Sequence, residues 1–323
     1  MAQITLFGTT GEAEVQRITL TRDDLTVSLL TWGAVIQSVR LAGVPHDLTL
    51  GSDRLADYQG QMRYHGSLIA PVVNRISGAS AQIAGRTHRF QANQDGRITL
   101  HGGDAGTHLK VWTLDGHDDT NATLTITLPD GDGGFPGTRH IAARFGLTDR
   151  ATMRLDVTAT TDAPTLMNIA NHSYWNLDGT PDWSGHSLTV HAGTYLPGTP
   201  DFTPTGEIAP VSGDMDFRTP RRISPGHPAL DTNFCLGTER RPLTHALTLT
   251  GASGTSLEVH TTEPGIQVYD GRDAFRPSHP PYEGLAVETQ FWPDAPNHPA
   301  FPDITLHPDD PWHQTTEWRF TRP

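Results

Sequence analysis

Apolar and polar residues alternate with a period of two along much of the chain. The segments ATLTITL (122–128), MRLDVTAT (153–160), HSLTVHAGTYL (186–196), HALTLTG (245–251), SLEVHTTEPGIQVYDG (256–271) and TTEWRF (315–320) all carry this pattern. It predicts strands with one face on a core and the other towards solvent. Between them lie clusters of Gly, Pro, Asp and Asn, such as DGDGGFPGT (130–138), LDGTPDWSG and PDAPNHPAFPD, which are turn and loop signals without helical spacing. Helix should be scarce and short. Many short strands with no long helical segments between them predict an all-β fold, a large antiparallel β-sandwich in one domain over residues 1–323, its sheets bending around a concave face.

Composition narrows the function. The 323 residues carry a formal charge of −13, and Lys110 is the single lysine, so nearly all basic charge is arginine. That balance disfavours nucleic acid as a partner. No uninterrupted apolar stretch of about 18 residues and no basic, apolar, small-residue N-terminal pattern occurs, so no membrane association is expected and the cytoplasm is the expected compartment. The one cysteine, Cys235, leaves neither an internal disulfide framework nor a cysteine zinc site, and packing is its expected role. The N-x-S/T triplets at Asn121 and Asn171 are read as chance occurrences. The 17 histidines include no H-x-x-x-H, H-E-x-x-H or H-x-H spacing, so neither a metal nor any other cofactor is expected.

Two distant segments set proton-transferring side chains among polar and aromatic residues. In LAVETQFW, strand alternation places Glu288 and Gln290 on one face, the carboxylate as a base for a sugar hydroxyl with the amide beside it. A lone strand glutamate reads as a solvated surface group; the following PDAPNHPAF makes this one a candidate. In NIANHSYWNL, His172 titrates near neutrality and can give a proton to a ring oxygen and recover it, the alternative being a structural histidine packed by Tyr174 and Trp175. Arg75 in VVNRISGAS and His101 in RITLHGGDAG could bind hydroxyls, with the Gly pair after His101 letting backbone approach a ligand. They read equally as a surface ion-pair partner and a turn residue. Asp231 in HPALDTNFCL could present a carboxylate at a pocket edge or serve as a turn or cap. Trp175, Phe291 and Trp292 are candidate aromatic platforms for a sugar, with core packing the alternative.

Taken in order, NRISG, LHGG, DGDGGFPG, NHSYWNL, LDTNF, TEPGIQVYDG and VETQFWPDAPNHPAF resemble the aldose 1-epimerase (galactose mutarotase) family, over about Trp32 to Pro308. The resemblance implies a galactose mutarotase-like supersandwich and cofactor-free interconversion of the α and β anomers of free aldoses. It further implies Glu288 as general base at the anomeric hydroxyl and His172 as general acid at the ring oxygen. Arg75, His101 and Asp231 fall at matching sugar-binding positions, and Asn74 and Gln290 complete the candidate substrate-binding set. The chain departs from the family pattern at Ala70-Pro71, Thr107-His108 and Trp175, changes expected to bear on sugar preference. The implied partner is a monosaccharide, bound by a monomer or homodimer. The alternatives are a hexose-phosphate mutarotase, which needs a cationic clamp, and a non-catalytic sugar-binding protein on the same scaffold.

Overall fold

A computed structural model describes residues 2–11, 13–149 and 151–323. Its largest sheet has nine strands in the order Thr113–His117, Asn121–Leu128, Arg139–Thr148, Thr152–Thr161, Trp312–Thr321, Ser256–Thr261, Thr244–Thr250, Ser187–Val190 and Arg221–Arg222. A six-stranded sheet runs Tyr174–Trp175, Leu285–Gln290, Gly265–Tyr269, Asp231–Cys235, Thr194–Tyr195 and Ala209–Pro210. The N-terminal segment folds as a four-stranded meander, Gln3–Thr10, Ala13–Arg22, Leu25–Leu30 and Val35–Leu41. All named strand pairs in these three sheets are antiparallel. The one α-helix among the described residues is Leu55–Gln59.

The expected strands form, with two divisions. The segment 256–271 yields Ser256–Thr261 in the nine-stranded sheet and Gly265–Tyr269 in the six-stranded sheet, so Thr262–Pro264 carries the chain from one layer to the other. The segment 186–196 divides likewise into Ser187–Val190 and Thr194–Tyr195. Alternation alone does not report such a crossing, because the pattern on both sides is the same.

The two large sheets pack through their apolar faces. Trp175 of the smaller sheet meets Trp318 and Phe320 of the larger, at 6.3 and 5.6 Å between ring centroids. Thr289 and Thr316 share a 2.6 Å hydroxyl hydrogen bond across the gap, and Gln314 Nε2 donates to the Thr289 carbonyl at 3.2 Å. These bonds satisfy polar groups that would each cost about 1–3 kcal/mol if buried without a partner. Meander residues Ile18, Leu20 and Val27 belong to the same core as Phe145, Leu155, Val268 and Trp318.

The register then determines what faces away from this core. On Leu285–Gln290, Val287 and Thr289 point inward, so Glu288 and Gln290 point to the opposite face. Glu288 stands opposite Gln267, which stands opposite Asn233; Asp231 stands opposite Tyr269. Directly paired residues share a face, so Glu288, Gln267, Asp231 and Tyr269 gather on the polar side of the six-stranded sheet.

Candidate active site

A cavity of about 220 Å³ opens on that polar face. The sheet contributes Tyr174, Asp231, Tyr269 and Glu288 to its lining, and loops contribute Tyr64, Asn74, His101, His172, Phe202 and Arg272. A larger cavity of about 560 Å³ lies elsewhere, lined by Arg17, Gln37, Asp57 and Arg276 among others. It holds none of the sequence-predicted residues, whereas the smaller cavity is lined by the buried His172 and Glu288.

His172 occupies the two-residue gap between the short strands Ala170–Asn171 and Tyr174–Trp175. Its backbone N–H donates to the Ser67 carbonyl at 2.9 Å, and its carbonyl accepts from the Gly66 N–H at 3.0 Å. Asn171 reinforces this link by donating from Nδ2 to the Gly66 carbonyl at 2.7 Å and accepting from the Ser173 N–H at 3.1 Å. Gly66 has φ +70°, and a Cβ there would stand 2.2 Å from the Ile36 carbonyl oxygen. A side chain at this position therefore clashes with backbone and forces a left-handed conformation. Gly66→Ala is expected to destabilise the fold by on the order of 1–3 kcal/mol and to displace His172. Thermal unfolding of the variant checks this, and an unchanged melting temperature would contradict it.

The His172 ring lies directly beside Glu288: its Nε2 is 3.6 Å from Glu288 Oε1, with the two side chains 5% and 3% exposed. His172 Nδ1 and Glu288 Oε2 have no protein partner although both are buried. Groups in that state carry a desolvation cost that a ligand hydroxyl would relieve. Burial, and then the negative charge of Asp231, push the Glu288 carboxyl well above the usual carboxylate range, with Arg75 opposing. Burial pushes His172 down to about 4. In a dry site the two therefore hold one proton between them over a wide pH range.

Asn74 and His101 sit at the open end of the two-stranded ribbon Arg75–Ile76 with Thr99–Leu100, both with positive φ, 62° and 53°. The Asn74 N–H donates to His101 Nδ1 at 3.1 Å, so the neutral imidazole carries its proton on Nε2 and is a donor there. Burial, followed by the neighbouring His172, His108 and Arg75, holds His101 well below its ordinary range and keeps it neutral. Arg75 donates from Nε to Gln94 at 3.0 Å and pairs through an NH group with Asp231 at 3.5 Å. Gln267 donates to the other Asp231 oxygen at 2.6 Å. Asp231 begins a strand instead of standing in a turn, and burial raises its carboxyl against the opposing pull of Arg75 and Gln267.

Other sequence readings are corrected. Gln290 shares the face of Glu288 but is fully buried one step beyond the cavity, and it does not line it. Trp175, Phe291 and Trp292 are no platforms: Trp175 packs into the inter-sheet core, Phe291 on Trp312 and Trp292 on Phe301. The aromatic walls are Tyr64, Tyr174, Tyr269 and Phe202 instead. Gly102 and Gly103 approach Pro71 and Gln91, not the cavity. The departures at Ala70-Pro71, Thr107-His108 and Trp175 also lie off the lining; His108 touches it indirectly, its ring 5.1 Å from that of Tyr64. Sequence reasoning missed Gln267 and Tyr269, whose signal was the alternation of GIQVY on a strand beside that of Glu288.

The aldose 1-epimerase family model matches residues 16–319. The chain is 33% identical to the galactose mutarotase of Homo sapiens over 343 residues, covering 99% of each chain. It is 31% identical to the aldose 1-epimerase of Escherichia coli strain K12, covering 92% of each. Among solved structures, a galactose 1-epimerase from Lactobacillus acidophilus superposes with a TM-score of 0.87 at 26% identity, covering 100% of this chain and 99% of the other. A GalM/aldose epimerase homologue from C. elegans gives the same TM-score and identity over 95% of this chain and 98% of the other. The antiparallel sheets, the His172–Glu288 pocket and these likenesses along the whole length lead to one conclusion: the chain belongs to the aldose 1-epimerase family and is an isomerase.

Proposed function

We propose that this protein interconverts the α and β anomers of free aldoses of the galactose, glucose or pentose type, with Glu288 as base and His172 as acid. The observation that carries the reading is the 3.6 Å approach of His172 Nε2 to Glu288 Oε1 inside a cavity walled by hydroxyl-binding groups. The names of the relatives, galactose mutarotase and aldose 1-epimerase, support the substrate class.

In the reaction Glu288 takes the proton from O1 while His172 gives its proton to the ring oxygen. The bond between C1 and the ring oxygen opens, the aldehyde end turns about the C1–C2 bond, and reclosure on the other face returns both protons. Each positioned acid or base contributes roughly 10²–10⁴-fold to such a step. Asn74, Arg75, His101 and Asp231 orient the sugar as donors and acceptors to its hydroxyls, with Gln267 holding Asp231 in place. The reading takes residues 1–323 as one catalytic domain. A free sugar suits the pocket better than a phosphosugar, because both lining guanidiniums are already paired, Arg75 with Asp231 and Arg272 with Asp270 at 2.8 Å. A phosphate dianion would meet carboxylates before it met a free cation.

Transfer of anomeric saturation in equilibrated D-galactose, followed by NMR, tests the reading. Exchange between anomeric protons should quicken on adding protein, and unchanged exchange would contradict it. The proton count also predicts a pH profile for kcat/KM. Activity needs one proton on the pair. The second proton arrives only below the ordinary histidine range, near His172's value of about 4. The shared proton leaves only above the usual carboxylate range, since Glu288 is raised. An acid limb towards pH 4 is expected, with a plateau above it that ends at a point higher than the usual carboxylate range. An acid limb at the ordinary histidine value of about 6.5 would count against the assignment.

A further inference from the structure

The nine-stranded sheet carries a second group of titratable side chains on the face that points away from the six-stranded sheet. His245 on Thr244–Thr250 stands directly opposite His260 on Ser256–Thr261, and their rings stack with centroids 4.7 Å apart and 16° between planes. Glu258 lies two residues from His260 on the same face, its Oε2 3.1 Å from His260 Nε2. His191, just after Ser187–Val190, sets its ring edge-on to His245 at 4.5 Å. Leu257 and Val259, interleaved with the two strand-mates, are fully buried, so the cluster is on the outer side of the sandwich.

We propose that His245, Glu258 and His260 form a divalent-metal site of zinc type, with the His191 ring packed at its edge. One donor atom from each of the three lies within 4.8 Å of the other two, and they are the one such group among the described residues. Two imidazoles and a carboxylate suit a borderline cation such as Zn²⁺, while Ca²⁺ and Mg²⁺ favour all-oxygen sets. His245 is oriented from behind, its Nε2 lying 3.1 Å from the Leu247 carbonyl and 2.9 Å from Thr248 Oγ1, the kind of outer contact that fixes a metal-binding ring. A bulge between His245 and Leu247 re-aims the side chain locally.

Donors around a tetrahedral zinc stand about 3.3 Å apart when each is about 2.0 Å from the ion. The 3.1 Å between Glu258 Oε2 and His260 Nε2 already meets that spacing, and Glu258, with its side chain 44% exposed, has room to adjust towards His245. The flanking cations are engaged elsewhere: Arg319, opposite Glu258, donates from Nε and an NH₂ group to Glu317 at 3.0 and 2.7 Å, and Arg241, on the His191 side, donates to the Leu236 carbonyl at 3.1 Å. The ion would clamp adjacent strands at a distance from the pocket. The sequence spacing hid this set because its members meet across paired strands.

Calorimetric titration of Zn²⁺ into tag-free, EDTA-treated protein tests the site, with Co²⁺ absorption in the visible as a second readout. One saturable equivalent and a raised melting temperature are expected. His260→Ala and Glu258→Gln should each weaken binding by at least roughly 10–100-fold, the second also serving if the first folds poorly. Turnover should be the same with and without EDTA. Absence of a saturable equivalent, or equal affinity in both variants, would overturn the site. Activity lost to EDTA and restored by Zn²⁺ would overturn its role as a strand clamp.

Discussion

Glu288→Gln is expected to lower kcat for mutarotation by roughly 10²–10⁴-fold or more while sugar affinity stays within an order of magnitude. The amide keeps the volume and the hydrogen-bonding reach of the carboxylate but cannot accept the O1 proton. The same change should leave stability equal or higher. Glu288 is 2% exposed, has an oxygen without a protein partner, and is raised by burial and by the charge of Asp231. Removing an ionisable group from such a place relieves desolvation and repulsion together. Loss of turnover with an undiminished melting temperature is the signature of a group kept for chemistry. It is read by progress curves, sugar titration and thermal unfolding, and normal turnover would end the assignment.

His172→Gln should reduce kcat on a similar scale and remove the acid limb of the pH profile, because the group that takes up the second proton is gone. It differs from the first variant in stability. The imidazole stacks on Tyr174 and Tyr64 at 5.1 and 5.9 Å and meets His101 edge-on at 5.3 Å. Losing such ring contacts costs about 0.5–1.5 kcal/mol for each pair, so a lowered melting temperature is expected here. The double variant should be little slower than the slower single one, since acid and base act as a unit. Additive losses in the double variant would mean that the two side chains serve separate steps.

The all-β character was legible because period-two alternation survives in strands such as Asn121–Leu128 and Thr152–Thr161, whose one face is wet. Leu285–Gln290 was legible too, although both its faces are buried, because a charged residue interrupts an apolar run. The crossing from Ser256–Thr261 to Gly265–Tyr269 was not, since nothing in local patterning says which sheet a strand joins. Glu288, His172, Arg75, His101, Asp231 and Asn74 converge on one cavity, and motif order indicated them. Gln290 was misjudged because a shared strand face extends past the cavity into the interior. The aromatic platforms were misjudged for a related reason: the tryptophans carry the most apolar area and went to the core, leaving tyrosines, with one polar end, to the pocket wall. Tyr64 and Phe202 lie in loops, where no periodicity marks a direction.

Polarimetry of freshly dissolved α-D-galactose and α-D-glucose, set beside their 6-phosphates, tests the central claim most directly. Wild-type protein should speed the approach to the equilibrium rotation for at least one free sugar and leave the 6-phosphates near their spontaneous rate. Acceleration of the phosphosugars alone, or of no sugar at all, would contradict it.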